Sequence, residues 1–477
     1  MKIKHDMPLA DYVTTYAESQ TVRFDTPGHK AGRALPAATK QLLALGGAVD
    51  MTLPNEALEW SNGCVYEAEQ LAAKLWGATR SFFSYNGTTA AIQAMLFAIL
   101  NPDDKVLVAN NCHRSVMNGL ILVGAQPVFL QTSYNANLQL DFNVTASEIE
   151  RALSEHADFR AVVITNPTYY GVGCDVRAIA KIAHDRGIPL LVDEAHGAHW
   201  RFSNELPDDA IACGADVVAQ STHKMLNSLS QTSMLHVNSN LVDCDKIGRV
   251  LKMLQSSSPN YLLLASLDAA RTDLEQHGYA MLKRTLELSG YVRRNIAAMP
   301  VICYNNKLIK GYAGYCMDES KLVIDFSALG YSGVEIFEKL IEQSIMPEMY
   351  DNRNVLFHIT IGDDEQSVEK LLNGLRTVCS VPRARIRPVK CSAPPLAVAL
   401  VSPRQAFFSN SELINIEYAL GRVSARSECF YPPGIPFVFP GAEISKSVLA
   451  YIHDMEAAGI FAEGHNGKIK QLEVLAL

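Results

Sequence analysis

Residues 161–199, AVVITNPTYYGVGCDVRAIAKIAHDRGIPLLVDEAHGAH, decide the fold. Ala161–Thr165 and Pro189–Val192 are short, almost wholly apolar runs, and Val176–Arg186 between them carries apolar residues at helical spacing. A strand apolar on both faces needs cover on both, which a parallel sheet flanked by helices supplies. Working outward, the same rhythm repeats. Upstream, Ser81–Tyr85, Lys105–Ala109 and Pro127–Leu130 read as strands, and Ser115–Gly124 and Ser147–Ser154 as helices. Thr88–Leu100 is apolar on nearly every side and predicts a buried helix. Downstream, Asp216–Ala219 and Thr232–Val237 read as further strands. The prediction is an α/β fold whose large domain is built on a mainly parallel sheet.

The flanks differ. Residues 1–60, punctuated by Pro27-Gly28, Pro36, Gly46-Gly47 and Pro54, read as an irregular arm before the helix Glu67–Trp76. After a helical stretch at 261–298, Lys321–Phe326, Gly333–Glu342, Val355–Ile361 and Gln366–Val378 predict a small α/β unit. A Pro- and Arg-rich connection, Val381–Pro395, leads to a last segment containing the aromatic, Pro-rich Tyr431–Gly441. The expected organisation is an arm over 1–60, a large domain over 61–300, a small α/β domain over 301–380 and a C-terminal domain over 381–477.

Composition narrows the function classes. Of 477 residues 48% are hydrophobic and 19% charged, ordinary globular usage that excludes a disordered or fibrous chain. Lys+Arg 42 against Asp+Glu 50 gives a net charge of −8, with no basic excess for a nucleic-acid backbone. The ten cysteines form no C-x-x-C pair, and the N-terminus lacks the apolar core of a signal peptide. The most apolar run, 88–100, is too short to span a bilayer, which needs about 20 residues. A cytoplasmic protein that binds neither membrane nor nucleic acid is expected.

Ligands of open α/β sheets bind beyond the carboxyl ends of the strands, and four polar clusters fall there. Asn86-Gly87-Thr88-Thr89 opens the buried helix with backbone N–H groups and two hydroxyls, an anion site or ordinary capping by Thr88. In Val192–His199, Asp193 could hold a protonated heterocyclic nitrogen, or His196 and His199 with Asp193 or Glu194 a metal. In Gln220–Lys224, Lys224 just past a buried strand fits a Schiff-base lysine or a solvated loop residue. His113, in Asn111–Ser115, could stack on a ring, act as an acid or base, or cap a helix. Together a phosphate cradle, an acid for a ring nitrogen, a reactive lysine and a stacking histidine are what pyridoxal 5'-phosphate needs. Thirty-one positions separate Asp193 from Lys224, room for one helix and one strand between two strand tips.

These stretches, with Thr26-Pro27-Gly28-His29-Lys30, Ser258-Pro259 and Tyr431-Pro432-Pro433-Gly434-Ile435-Pro436, run in an order that resembles the ornithine/lysine/arginine decarboxylases of fold type I. The resemblance implies an aspartate-aminotransferase-like large domain, a smaller domain, a C-terminal domain, and homodimers or higher homo-oligomers with the active site at the interface. It implies that Lys224 binds the cofactor covalently, that Asp193 pairs with the ring nitrogen, and that Ala195 and His113 lie on opposite ring faces. Gly87, Thr88, Thr89 and Ser221 would hold the phosphate, and His196 is counted with the cofactor-binding residues. His223 would sit near the departing carboxylate, and His223 or Lys224 would return a proton to Cα. Only 25 residues precede Thr26, which matches the short form without an N-terminal wing domain. The stretch Asp50–Gly63 is shorter than the family pattern, with displaced acids.

The implied reaction is decarboxylation of a basic amino acid to an amine and CO2, feeding polyamine metabolism. Arginine is preferred because short-form members resemble arginine decarboxylases; lysine and ornithine stay open. A basic side chain calls for an acid at the far end of the pocket, with Glu348 and Glu428 as candidates and Tyr169 lining the wall. The competing enzyme reading is an aminotransferase or eliminase of the same fold; a silent cofactor-binding subunit and a metal-dependent hydrolase on His196 and His199 are the others. No metal is expected.

Overall fold

Seven strands form the central sheet: β1 (Arg80–Ser84), β2 (Lys105–Ala109), β3 (Gln126–Leu130), β4 (Phe159–Thr165), β5 (Leu190–Asp193), β6 (Val217–Gln220) and β7 (Ser233–Val237). This is a computed structural model, and it describes residues 8–51, 53, 62–156, 158–309, 312, 314–381, 392–430 and 434–476. Most of Asp50–Gly63, residues 382–391 of the connection and Tyr431-Pro432-Pro433 therefore lie outside the described residues.

The strand order is β1-β7-β6-β5-β4-β2-β3. All neighbours run parallel except β7, which is antiparallel to both β6 and β1. Helices cover both faces, as the apolar strands require. Gly87–Ile99 and Arg114–Val123 bury Met95, Leu96, Val116 and Leu120 against one face. Ala146–Glu155 and Val176–His184 bury Ile149, Leu153 and Ile179 against the other. Nine of the thirteen residues of Gly87–Ile99 are buried, so this helix is held by packing; each large side chain such as Ile92 or Leu96 contributes about 1.5–3 kcal/mol.

Residues 261–296 are one 36-residue helix running from the large unit to the small one. There Leu288, Val292 and Ile296 pack on a second sheet. Its strands are β8 (Ile302–Cys303), β9 (Lys321–Asp325), β10 (Met349–Tyr350) and β11 (Asn354–His358), in antiparallel order β8-β9-β11-β10. The first residues are not irregular throughout, as expected above. They hold helices Pro8–Glu18 and Ala37–Ala44, and Val22–Phe24 pairs in parallel with Ile345–Pro347. At the C-terminal end Ser411–Asn415 pairs with Gln471–Leu475, and Phe430, Phe437 and Ile452 form a core with Met117 and Ile121 of the large unit.

Candidate active site

Register places the chemistry. Asp193 ends β5 between Thr165 of β4 and Ala219 of β6, so its carboxylate emerges at the middle of the sheet's carboxyl edge. The neighbouring strand β6 runs into the single turn Thr222–Met225, which carries His223 and Lys224. A cavity of about 420 Å³ opens over this edge, of a size usual for small-molecule sites. Gly87, Thr88, Thr89, His113, Tyr169, Asp193, Ala195, His196, Ser221, His223 and Lys224 all line it. All but two of the site residues named from the sequence are thus brought to one cavity.

At one end, Gly87 adopts φ +78° at the start of its helix, and the N-cap residue Asn86 makes no side-chain capping bond. The hydroxyl of Thr88 does not cap the helix either. It donates to Ser233 Oγ (2.9 Å) and meets Ser221 Oγ at 2.5 Å, across the cavity floor. The first-turn N–H groups are left facing the cavity with three hydroxyls beside them, a fitting cradle for a phosphate. Nearby, both amide atoms of the buried Asn111 lack a hydrogen-bond partner, a polar group that a ligand would satisfy.

Lys224 and Asp193 are buried together. Burial pushes the lysine pKa down, opposed by Asp193 and Glu348; burial pushes Asp193 up, opposed by Lys224. The backbone N–H of Ala195 donates to Asp193 Oδ1 at 3.1 Å and fixes its orientation. Such a pair suits a site that exchanges a lysine amine for a cationic ring nitrogen. His113 is the N-cap of Arg114–Val123, its Nδ1 accepting from Ser115 N at 3.2 Å. Burial and the nearby Lys224 drive its pKa down to about 3, so the ring is neutral. His223 is held by a 2.6 Å bond between Nδ1 and the Thr232 carbonyl and is pushed down to about 4, chiefly by burial. Pyridoxal phosphate fits this set: hydroxyls and N–H groups for the phosphate, Asp193 for the nitrogen, Lys224 for the aldehyde.

His196 and His199 part company. His196 lies between Lys224 and Lys321, while His199 Nε2 bonds Asp318 Oδ2 at 2.9 Å. Glu194 also turns away, accepting from Ala210 N (2.8 Å) and Gln220 Nε2 (2.7 Å) inside the core. Each side chain of the metal alternative thus has its own, different partner. Of the two distal acids, Glu348 lies beside the cavity, bonded to the Tyr169 hydroxyl and accepting from Thr26 N at 2.7 Å. Glu428 does not: Arg426 Nε (3.2 Å) and His465 Nε2 (2.9 Å) occupy its carboxylate in the C-terminal unit.

Sequence reading missed three groups. Lys321 heads the apolar run of β9, yet its ammonium reaches His196 Nδ1 at 3.2 Å; a lone lysine before five apolar or acidic residues was its only signal. Asp141 and Asp351 line a second cavity that shares Asn111, Tyr169 and Ile435 with the first. Asp141 Oδ1 has no hydrogen-bond partner, and burial with Asp351 nearby pushes its carboxyl up to about 7.

The Orn/Lys/Arg decarboxylase major-domain profile matches residues 7–367, and the profile of that family's C-terminal domain matches 394–471. This chain belongs to the Orn/Lys/Arg decarboxylase family. It is similar to the arginine decarboxylase of Bacillus subtilis, with 34% identity over 470 residues, 97% of this chain and 96% of the relative. The arginine decarboxylase of Bacillus anthracis is also 34% identical, covering 97% of this chain and 95% of its own length. Among solved structures, lysine decarboxylase A from Pseudomonas aeruginosa superposes with a TM-score of 0.77 at 19% identity, covering 98% of this chain and 82% of that one. An alanine–glyoxylate aminotransferase from Nostoc sp. gives 0.59 at 15% identity, over 76% of this chain and 95% of that one. These likenesses establish the fold type I architecture. The family member described here is a decarboxylase of basic amino acids.

Proposed function

We propose that the enzyme converts arginine to agmatine and CO2, using pyridoxal 5'-phosphate held in the cavity over β5 and β6. The observation that carries this is the convergence of Lys224, Asp193, His113 and the Thr88–Ser221 hydroxyl pair on that one cavity. The naming of near-full-length relatives as arginine decarboxylases supports the choice of substrate. When bound, the cofactor supplies a protonated ring that draws in the electrons of the breaking Cα–carboxylate bond.

The chain's own residues do the rest. Lys224 Nζ, whose pKa burial lowers against the pull of Asp193 and Glu348, would hold the cofactor covalently until the substrate amine replaces it. Asp193 holds the ring nitrogen's proton, because an adjacent buried anion favours the charged form. His113 and Ala195 would confine the ring, and Gly87, Thr88, Thr89 and Ser221 would hold the phosphate. His223 or Lys224 would return a proton to Cα. The substrate's cationic head group is read into the second cavity, where the buried Asp141 has a carboxyl oxygen without a hydrogen-bond partner and Asp351 lies close by. Glu348 then positions Tyr169 and the Thr26 backbone rather than the head group. The reading includes a homodimer or larger homo-oligomer with the site at its interface, and a cytoplasmic location.

Mass spectrometry of products from the cofactor-loaded enzyme, given arginine, lysine and ornithine together, tests the reading. Agmatine is expected from the wild type and no amine from Lys224→Ala. A keto acid in place of an amine, or cadaverine or putrescine in place of agmatine, would overturn the reaction or the substrate respectively.

A further inference from the structure

His196 is buried in line between two lysines. Its Nε2 lies 2.9 Å from Lys224 Nζ, and its Nδ1 lies 3.2 Å from Lys321 Nζ. Each ammonium nitrogen is also 5.9 Å from the centre of the Tyr169 ring. The hydrogen-bond inventory of these three groups is restrictive. An ammonium only donates, and a neutral imidazole has one donor and one acceptor nitrogen. Were both lysines charged, one of them would direct a proton at the imidazole N–H. A charged imidazole is no escape, since burial first, and then Lys224 and Lys321, hold His196 well below its ordinary pKa. The line therefore carries at most one excess proton, held on one of the two lysines, and the tautomer of His196 records which.

The surroundings favour Lys321 as its holder. Lys321 Nζ donates to the Tyr169 carbonyl at 3.0 Å and faces Asp318, Glu348 and His358. Burial opposes ionisation of Asp318, but His199 beside it and Ser320 hold its carboxyl well below the usual range. Lys224 faces Asp193 and Glu348, with the neutral rings of His113 and His223 also near it. Burial lowers both lysines, Lys321 to about 8.

We propose that Lys321 is a positioning residue that stores the shared proton, so that His196 presents Nε2–H to an uncharged Lys224 and passes it the proton that Lys224 then gives up. In the stored state Lys321 donates to Nδ1, and Nε2–H donates to the lone pair of Lys224. In the transfer an N–H bond breaks at Lys321 as one forms at His196 Nδ1. The Nε2–H bond breaks as one forms at Lys224, leaving the opposite tautomer and an uncharged Lys321. Solvent protons recharge Lys321 between turnovers. The inference rests on the reading of Lys224 as the reactive amine.

The test is the reactivity of Lys224 toward acetic anhydride as a function of pH, followed by peptide mass spectrometry on the full-length chain freed of cofactor. Lys321→Met is expected to raise the labelling midpoint of Lys224 by at least one pH unit, a tenfold loss of free amine at fixed pH. His196→Gln, which cuts the line but leaves the Lys321 charge, should raise it likewise. Lys321→Arg keeps the cation but cannot surrender its proton; its midpoint should stay low while kcat falls at least tenfold. An unchanged midpoint in folded Lys321→Met or His196→Gln overturns the proposal, as does a Lys321→Arg enzyme with wild-type kcat. Because the labelling needs neither substrate nor turnover, a shifted midpoint in a protein that makes no agmatine would sink the substrate reading and leave this one standing.

Discussion

Taking a carboxylate out of water raises its pKa unless a cation arrives to compensate, and Asp141 is the clearest case in this molecule. The folded chain keeps a proton on Asp141 between the ordinary value near 4 and about 7, which the unfolded chain gives up over the same range. This group therefore makes the fold less stable as pH rises through that window. Asp141→Asn removes the penalty, so urea unfolding without substrate should show the variant gaining on the wild type as pH rises from about 4 to about 7. The same variant should raise KM for arginine about 30-fold, near 2 kcal/mol, through the loss of a buried charge partner. An unchanged KM would sink the head-group assignment. Asp193, Lys224 and His113 were legible in the sequence because each follows an apolar strand, where position alone confers meaning. Asp141, Asp351 and Lys321 were not, because their partners come from remote chain: 125 residues separate His196 from Lys321.

At the scale of elements, the Thr26–Lys30 motif clamps the segment that carries Lys224. Gly28 N donates to the His223 carbonyl at 2.9 Å, and its own carbonyl accepts from Thr360 Oγ1 at 2.7 Å. A Cβ at Gly28 would lie 2.5 Å from the Leu226 carbonyl oxygen, with no flexible side chain there to yield. Gly28→Ala should therefore push the 222–226 turn outward. Cofactor titration should show affinity falling at least tenfold, and urea unfolding a loss of about 1–3 kcal/mol. Wild-type cofactor affinity would show that the motif does not hold the turn. The sequence marked this motif through family resemblance but said nothing of what it touches. Continuous apolar runs between stretches of helical spacing located the sheet strands, yet the reversed direction of β7 is a property of connection, not of pattern. Helix Pro8–Glu18 escaped notice for a related reason: it buries no residue, so no apolar stripe facing a core marks it.

That helix matters most for the molecule as a whole. It exposes Leu9, Tyr12 and Val13, at 75%, 68% and 56%, on a segment followed by Val22–Phe24, which is paired to the small unit at Ile345–Pro347. Single exposed apolar residues are ordinary, but three within five positions of a helix that buries no residue leave an apolar face uncovered in one chain. A second copy of the chain would supply that contact, in keeping with the homo-oligomer read from the family resemblance. Light scattering after size-exclusion chromatography is expected to give twice the 52.3 kDa chain mass or a larger multiple. Replacing Leu9, Tyr12 and Val13 together by aspartate should shift the population toward the monomer. With a site at the interface, specific activity should then fall in proportion to dissociation and recover as protein concentration rises. A monomeric triple variant of full specific activity would mean that one chain completes the active site by itself, and the shared-site reading would fall with it.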